Sequence, residues 1–562
     1  MEEETVSVSV PLREVEDDGM VVVNKNGVNV LIIYDKGNVY ACDIRCPHMG
    51  YPLSKGTVKD GVLICHWHHA RFNLRDGKTF DLWADDLTTY DTKIMDDKVI
   101  VNFNEKSTKD RYIKRLRRGI DHNIDLVTAK SIIDSLNNGL SLDDLAKEVV
   151  TYVLRDHEWN TGLNIFTIIL NLLNYDLEFE WRVLGILHGI KNISSQIFEK
   201  PKVIYPEPLE KAQGLENWFR EFIEGREVDP ARRVILSMGS EDGLDAMIAS
   251  VTDHFFLDEG HVLDHLNKQT ELLDKIGWEN SNLVFASLIT QLANGTRHEE
   301  DPKWRIPDDL VSIISNEIGK VRDVKIGKGR LNDKEMDELV DCLLRDDSKK
   351  PFECTTQMIT SGVSPKYLAL ALGLASAYRE ARFHTQNDFS DWDTIHHQFV
   401  YSNALYRLSE RKENFYLIRG IYHGIGNLYL TRFLNIPPAR LPREKTSRNE
   451  GEIVKSLSEA IGSKRIEDAS LDVYDYLVRD FPEDILIKTI IKSLFIEDVS
   501  FHTAQTVDAG ISLFNALREF SNDYIPLIAT VRYLSSHSPT DRRNKTTVDV
   551  AIKLSKGEAL HL

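Results

Sequence analysis

The sequence predicts a multidomain protein in which an all-β N-terminal domain is followed by an all-α region. Residues 5–105 contain β-branched, apolar stretches around turn sequences, as in "VNVLIIYDKGNVYACDI" and "ARFNLRDGKTFDLW", which is typical of β-hairpins. After the charged segment "STKDRYIKRLRRGIDHN" the pattern changes, and apolar residues recur every three or four positions, which predicts successive helices. A chain of 562 residues is also too long for one core.

Two nine-residue segments of the helical region resemble each other. "GILHGIKNI" (residues 185–193) and "GIYHGIGNL" (residues 420–428) share six of nine residues, and each is followed about 70 residues later by a segment with histidine, "DEGHVLDHL" or "FHTAQTV". Chance similarity is one explanation and an internal duplication is the other. With the duplication, the predicted domains are an N-terminal β domain at residues 1–107 and two helical repeats at 108–340 and 341–562.

Composition restricts the classes of partner that we expect the protein to bind and the cellular compartment in which we expect it. With 69 basic and 88 acidic residues, the net charge of −19 disfavours nucleic acid and anionic membranes as partners. No apolar stretch reaches the 18 or more residues of a membrane span, and "MEEETVSVSV" does not resemble a signal peptide. The odd number of cysteines favours a reducing cytoplasm over a disulfide framework. The five are Cys42, Cys46, Cys65, Cys342 and Cys354.

Two short cysteine and histidine motifs lie in the predicted β domain. Cys46-Pro-His48 and, after sixteen intervening residues, Cys65-His-Trp-His68 give the pattern C-x-H…C-x-x-H. Each motif supplies one thiolate and one imidazole from a tight loop, and two such loops side by side can hold a [2Fe–2S] cluster with both thiolates on one iron. A structural zinc site is the alternative, but it normally begins with C-x2–4-C, which neither motif contains.

The motifs, "CPHMGYPLSKG" and "CHWHHARFNLRDG", resemble those of the Rieske ferredoxin family, and the resemblance covers about the first 105 residues. It implies that Cys46 and Cys65 ligate one iron of a [2Fe–2S] cluster. It further implies that His48 and His68 ligate the other.

The loops also differ from those of high-potential Rieske proteins, which contain an additional cysteine in each loop, joined as a disulfide. Tyr51 and Trp67 occupy the corresponding regions here, and Cys42 has no mate in the second loop. The resemblance therefore implies the low-potential, ferredoxin-like and oxygenase-associated branch. The spacing from the second cysteine favours His68 as the ligand over His66 and His69, which we expect to be exposed or to neighbour the cluster.

The helical region contains candidates for a second, catalytic or metal-binding site. In "DEGHVLDH", Asp258, His261 and His265 come one residue short of the D-x-x-H-x4-H iron motif of Rieske non-haem iron oxygenases, although the two histidines share a helix face. The catalytic domain of those oxygenases mixes sheet and helix, which disfavours membership. For each candidate the alternative is a hydrogen-bonded core residue. The weak candidates are His188, His261, His265, Asp393, His397, His423 and His502.

Two resemblances extend beyond the N-terminal domain. Because of "CHWHHARF" and "HTQNDFSDWDT", the whole arrangement resembles a family of bacterial and archaeal Rieske-domain proteins. The helical part is more distantly similar to questin-oxidase-like proteins, which are helical, rich in histidine and act on polyketide-type aromatic substrates. That similarity transfers neither a substrate nor a residue.

These features lead to one principal function and two alternatives. The principal one is an oxidoreductase of oxygenase type, in which the cluster feeds electrons to a histidine-rich site that acts on a small organic substrate; whether a second metal binds there is left open. The alternatives are a redox-sensing or scaffold protein whose helical region binds a partner, and a ferredoxin with a docking platform for an external oxygenase. Since no P-loop, Rossmann fingerprint or nucleophile elbow is found, an external electron donor such as a reductase is implied.

Overall fold

The computed structural model describes residues 7–25, 28–102, 108–210, 214–385, 387–558 and 560. The chain forms two compact units, one of Met1–Leu145 with Asn544–Leu562 and one of Ala146–Arg543. The predicted border at 107/108 falls beside residues 103–107, which lie outside the described residues. The predicted domain borders, including the one at 340/341, stay predictions.

The described residues of the first unit contain nine strands, all paired antiparallel. The strands are β1 (Ser7–Pro11), β2 (Met20–Lys25), β3 (Val28–Asp35), β4 (Asn38–Asp43), β5 (Thr57–Lys59), β6 (Val62–Ile64), β7 (Arg71–Asn73), β8 (Thr89–Met95) and β9 (Lys98–Asn102). Six of them form a sheet in the order β1-β9-β8-β4-β3-β2, and β5-β6-β7 form a second sheet. The predicted all-β N-terminal domain is therefore confirmed.

The central strand β3 shows how sequence and fold correspond. Its partner β4 follows a two-residue turn in which Lys36 and Gly37 have φ of 50° and 85°, the positive angles that a type I′ hairpin requires. Alternate side chains of β3 enter different cores: Val30 and Ile32 pack with the β1 and β9 side chains, while Leu31 and Ile33 pack with the cysteines of the two motifs. The run of apolar residues in β3 thus reflects burial on both faces.

The described residues also contain twenty-four α-helices. They are α1 (Leu12–Asp18), α2 (Thr108–Asp121), α3 (Asp125–Asn137), α4 (Leu142–Leu154), α5 (Thr161–Leu172), α6 (Phe179–Ile197), α7 (Leu215–Glu224), α8 (Val228–Leu236), α9 (Ser240–Asp253), α10 (His261–Ile276), α11 (Ser281–Ala286), α12 (Ile289–Asn294), α13 (Leu310–Val321), α14 (Asp333–Leu343), α15 (Lys350–Thr360), α16 (Pro365–Ala381), α17 (Phe389–Arg411), α18 (Phe415–Leu430), α19 (Glu450–Ile461), α20 (Ile466–Leu477), α21 (Glu483–Phe495), α22 (Phe501–Ala516), α23 (Ile525–Ser536) and α24 (Arg543–Ser555).

The first unit adds α2, α3 and most of α24 to its strands. The charged segment that the sequence marks as a joint is thus largely helical, because it forms α2. Its basic side chains bind acidic ones of the β domain: Arg115 Nη1 lies 3.1 Å from Asp85 Oδ2, and Arg118 Nη2 lies 3.3 Å from Asp85 Oδ1. On the other side, Arg115 Nε donates to Ser131 Oγ of α3 at 2.9 Å. These ion pairs attach α2 and α3 to the β domain.

The second unit is helical in its described residues, as predicted. Nearly every side chain of α5 is buried, which explains the continuous apolar run "LNIFTIILNL" without a membrane. Among the residues that the structure describes, none of the helices combines the length and apolar character that a membrane span requires.

The two similar segments lie in α6 and α18, and their glycines permit close helix contacts. A Cβ atom at Gly189 would lie 2.6 Å from the Phe166 ring, and one at Gly424 would lie 2.7 Å from a Leu372 methyl group. Larger residues therefore cannot fit there without displacing a neighbouring helix. This packing role explains the shared glycines, and the duplication itself stays a prediction.

The sequence favoured cysteines that are not paired in disulfides, and this expectation is wrong for two of them. Cys342 of α14 and Cys354 of α15 form a disulfide, while Cys42, Cys46 and Cys65 are free. The count of five indicated only that not all cysteines can pair. It did not reveal that two of them, twelve positions apart, lie on adjacent helices.

Candidate cluster-binding loops and histidine site

Each Cys/His motif forms a closed loop, the first over residues 46–51 and the second over 65–70. In the first loop Cys46 N donates to Tyr51 O at 2.8 Å, and in the second Cys65 N donates to Ala70 O at 2.9 Å. The fourth residue after each cysteine has a left-handed backbone, with φ of 76° at Gly50 and 61° at His69. The same backbone bond and the same turn position make the two loops equivalent in construction.

The four predicted ligands come together where the loops meet. The Cys46 and Cys65 thiols are in hydrogen-bonding contact, which, with the backbone N–H groups of the second loop, lowers the pKa of Cys65 to about 6. The rings of His48 and His68 lie with centroids 4.9 Å apart at 81°. His48 Nδ1 is buried and has no hydrogen-bond partner in the described part of the chain. Two thiols, two imidazoles and an orphaned buried nitrogen fit the mixed sulfur and nitrogen ligation of a [2Fe–2S] cluster.

Aromatic side chains surround these donors. Trp83 contacts His48 with ring centroids 4.7 Å apart, and Trp67 contacts His68 at 4.3 Å. The rings of Tyr51 and Trp67, at the predicted positions of the missing disulfide, lie 6.1 Å apart. Such aromatic contacts with the ligand rings influence the reduction potential of a bound cluster.

The other cysteine and histidines near the motifs have separate environments. Cys42 is buried in β4, where burial raises the pKa of its thiol. His66 is exposed and its Nε2 lies 2.5 Å from Thr57 Oγ1. His69 is exposed and adopts the left-handed turn conformation.

Lys130 of α3 supports the first loop from outside the motif. Its Nζ donates to Pro47 O at 2.5 Å and to His48 O at 2.6 Å, and burial lowers the pKa of its ammonium group to about 8. A buried cation thus holds the backbone on both sides of the first histidine. This lysine lies well beyond the motifs, and no local pattern in the sequence indicates it.

We expect Lys130→Met to leave cluster content unchanged but to lower the reduction potential of the bound cluster by tens of millivolts, given that about 59 mV corresponds to a tenfold change in a one-electron equilibrium. The reason is that a nearby cation stabilises the reduced, more negative state. The measurement is a redox titration of the full chain followed by visible absorption. Lys147→Met, at an exposed lysine paired with Glu279, is the control; equal potentials in both variants would contradict the expectation.

An antiparallel β domain with two such loops defines a class, that of iron–sulfur proteins with mixed ligation. Residues 6–91 match the family model described as Rieske [2Fe-2S] domain. The chain is 33% identical over 97 residues to the 3-phenylpropionate/cinnamic acid dioxygenase ferredoxin subunit of Photorhabdus laumondii, covering 17% of this chain and 91% of that protein. The chain therefore belongs, through its N-terminal domain, to the Rieske [2Fe-2S] family. A [2Fe–2S] cluster is the cofactor that this domain implies.

The other similarities likewise cover less than a fifth of the chain. Apoptosis-inducing factor 3 of Homo sapiens is 33% identical over 97 residues, which are 17% of this chain and only 16% of that protein. The solved ferredoxin of carbazole 1,9a-dioxygenase from Nocardioides aromaticivorans is 22% identical and covers 18% of this chain and 97% of that one, with a TM-score of 0.17. These similarities leave the helical unit unassigned.

In the second unit, three of the candidate histidines converge. His261 is the first residue of α10, His397 lies in α17 and His502 is the second residue of α22. One nitrogen of each ring lies within 4.8 Å of those of the other two, and His397 Nε2 is 3.3 Å from His502 Nε2. All three are partly buried. We call these residues the histidine triad.

Carboxylates orient two members of the triad. Glu259 Oε2 lies 3.1 Å from His397 Nδ1, and Asp393 Oδ1 lies 3.3 Å from His502 Nδ1. Burial, together with the neighbouring triad rings, lowers the pKa of His261 well below its usual range. The predicted Asp393 is therefore close to His502, one of the predicted histidines. Glu259, which lies close to His397, was not among the candidates, although it lies two residues before His261 in "DEGH".

The remaining candidates lie elsewhere. His265, one turn after His261, binds Gln291 Oε1 through Nδ1 at 2.7 Å, with ring centroids of the two histidines 6.3 Å apart. His188 Nε2 contacts Phe495 O at 2.8 Å, and the ring of His423 stacks on Phe255 at 4.2 Å. Both of the latter are fully buried core residues, in line with the alternative considered from the sequence.

The buried histidines predict a loss of stability on mild acidification. Burial lowers the pKa of His188 to about 4 and that of His423 to about 3, against 6.5 when exposed. Above pH 6.5 both the folded and unfolded states hold these rings neutral, so their full contribution to stability is present. As the pH falls from 6.5 towards the folded values, only the unfolded state gains protons, and stability is lost.

The free energy of unfolding of the helical unit should accordingly decrease between about pH 7 and about pH 5, and His423→Phe should decrease less steeply because one titrating group is removed. The measurement is denaturant unfolding followed by circular dichroism at several pH values. The control variant is His122→Phe, at an exposed histidine of the first unit, because its replacement should leave the unfolding of the helical unit as it is in the unaltered protein. Identical slopes in the His423 and His122 variants would refute the assignment.

Proposed function

We propose that the protein is a Rieske-type electron-transfer protein whose cluster is ligated by Cys46, His48, Cys65 and His68. The observation that supports this most is the junction of the two equivalent loops, where two free thiols, two imidazole rings and the unpartnered Nδ1 of His48 meet. A bound cluster would exchange single electrons there. The free cysteines and aromatic loop residues favour the low-potential branch.

We further propose that the helical unit contains the electron acceptor, so that the full chain is an oxidoreductase of oxygenase type. The supporting observation is the histidine triad, since converging imidazoles with carboxylate partners are typical of redox metal sites. The name of the Photorhabdus relative, a dioxygenase ferredoxin subunit, supports a reductase as the external donor and a small organic molecule as the substrate. A scaffold or sensor without a catalytic site is the alternative.

The decisive experiment follows electrons through the intact chain. The cluster of the full-length protein is reduced under argon by a photoreductant, and its visible absorption is followed after dioxygen, the terminal oxidant, is added. We expect His397→Ala to slow cluster reoxidation by at least about tenfold, because loss of a metal ligand should exceed the 10–100-fold effects known for groups around metal ligands.

The matched control is His122→Ala, at an exposed histidine outside the triad, and its reoxidation rate should equal that of the unaltered protein. Equal rates in the His397 and His122 variants would favour the scaffold or sensor function. Reoxidation that is unaffected by either variant, combined with a normal cluster spectrum, would leave the Rieske assignment intact and refute only the acceptor in the helical unit.

A further inference from the structure

The histidine triad has the spacing of ligands to a single ion. Nitrogens bound at about 2.0–2.1 Å to one metal ion with tetrahedral angles lie about 3.3–3.4 Å apart. The Nε2 atoms of His397 and His502 are 3.3 Å apart, and the third nitrogen, on His261, lies within 4.8 Å of both. His397 meets the other two rings edge to face, whereas the rings of His261 and His502 are nearly parallel, with centroids 5.7 Å apart.

The carboxylate partners settle which nitrogens point inward. The carboxylate oxygens of Glu259 and Asp393 lie 3.1 and 3.3 Å from Nδ1 of His397 and His502. This arrangement favours the tautomer with the proton on Nδ1 and the lone pair on Nε2 of each neutral ring. Tyr533 Oη donates to Asp393 Oδ1 at 2.6 Å and fixes that carboxylate in turn. Metal-binding histidines almost always have such partners on the nitrogen opposite the metal. Two histidines that served only to pack a core would not be expected to place two lone pairs opposite each other at hydrogen-bond distance.

The backbone that supplies His261 is unusual. Phe256, Asp258 and Glu259 have φ of 44°, 50° and 57°, and Gly260 has φ of 87°. Non-glycine residues seldom adopt this left-handed region, and such strain concentrates at functional sites. A Cβ atom at Gly260 would lie 2.9 Å from the Tyr401 ring. The strained turn places Glu259 next to His397 and ends where α10 begins at His261. It therefore positions two residues of the same site.

Beside the triad lies a buried and weakly satisfied pair of polar groups. His396 and Glu380 are fully buried, and His396 Nδ1 lies 3.9 Å from Glu380 Oε1, which is too long for a hydrogen bond. In the described part of the chain, no hydrogen bond of normal geometry reaches either side chain. The His396 ring centroid is 5.3 Å from that of His502. Weakly satisfied buried groups require an explanation, and a bound ion is one of the recognised ones. This observation is independent of the triad spacing.

We propose that His261, His397 and His502 bind one redox-active first-row transition metal ion, with Glu259 and Asp393 as the hydrogen-bonding partners of the ligands. Imidazole donors suit iron, copper, nickel and zinc, and three protein ligands leave coordination positions open for a small molecule. The inference rests on the proposed function, because it specifies the site in the helical unit that receives electrons. Fe(II) is therefore the ion to test.

The test uses the full chain in a form without the cluster, Cys65→Ala, which is incubated anaerobically with Fe(II), passed through a desalting column and analysed for iron. We expect one iron per chain, and none when His397→Ala is added. Asp393→Asn in the same background should weaken Fe(II) binding by about 10–100-fold, since it removes only the partner of a ligand. His423→Phe, at a buried histidine outside the site, should retain the iron.

Equal iron in all of these variants, no iron in the Cys65→Ala chain, or retention of Zn(II) but not Fe(II) would each overturn the proposal. If Cys65→Ala does not fold, the ratio of iron to acid-labile sulfide in the unaltered protein replaces it: the cluster alone gives equal amounts, and the triad ion adds iron without sulfide. Failure of the Rieske assignment appears separately, as absent sulfide, so the two failures are distinguishable.

Discussion

Cys65→Ala should abolish the cluster completely. The thiolate of Cys65 is one of the two sulfur ligands in the proposed set, and each iron–sulfur cluster of this kind depends on all of its protein ligands. Cys46 is already the other sulfur ligand of the proposed set. The remaining free cysteine of the described residues, Cys42, is buried within β4 and lies in neither loop, so it should not replace Cys65. Iron and acid-labile sulfide analysis, with electron paramagnetic resonance after dithionite reduction, measures the loss.

The control is Cys42→Ala. Cys42 and Cys65 are both 1% exposed, both are free and both belong to the same core cluster, so the two variants remove the same volume from the same domain. Cluster content should persist in Cys42→Ala. A second matched pair is His68→Ala and His66→Ala, two exposed histidines of one loop. Retention of the cluster in Cys65→Ala, or its loss in both members of a pair, would refute the ligand set.

Lys268→Ala should destabilise the helical unit by about 3–5 kcal/mol, the usual cost of removing one partner from a buried ion pair. Lys268 is 1% exposed, and its Nζ donates to Glu271 Oε2 at 2.7 Å and to Asp508. Burial opposes ionisation of Glu271, but the charge of Lys268 outweighs this effect and lowers the pKa of that carboxyl group below its usual value. Without the lysine, the carboxyl groups of Glu271 and Asp508 remain buried together, and Arg407 Nε stays 3.4 Å from Glu271 Oε1.

The measurement is denaturant unfolding of the full chain, followed by circular dichroism for the helical unit and by cluster absorption for the first unit, since two units need not unfold together. Lys334→Ala is the control: Lys334 is 84% exposed and pairs with Glu338 at 3.4 Å, so its loss should cost less than about 1 kcal/mol. A similar loss in both variants would show that burial of the lysine does not determine its contribution.

Local sequence patterns predicted much of the first unit. The turn at Lys36 and Gly37 requires positive φ angles, and the glycine together with its neighbouring turn-forming residues predicts this turn from the sequence. The spacing of the cysteines and histidines likewise identified the two loops, because each loop is only six residues long and closes on itself. The role of Lys130 could not be predicted, since it depends on where α3 packs, some 80 residues beyond the loop that it supports.

In the helical unit, the sequence predicted less and the tertiary structure decided more. Seven candidates were equally plausible on periodicity alone, and the tertiary structure separated them. His261, His397 and His502 converge beside Asp393. His188, which contacts the backbone oxygen of Phe495, and His423, which stacks on the Phe255 ring, are core residues. The disulfide between Cys342 and Cys354 was missed for the same reason. Helical spacing determines which face a residue occupies, and it contains no information about which other helix covers that face.

The sequence by itself determined the β domain, its two loops, the identity of the family and the helical character of the remainder, because turns, alternation and short motifs act within a few residues. The tertiary structure alone decided the convergence of the triad, its carboxylate partners and the buried lysine network. Those depend on contacts between residues more than 100 positions apart, such as His397 with His502 or Lys268 with Asp508, and these contacts exist only once the helices are packed.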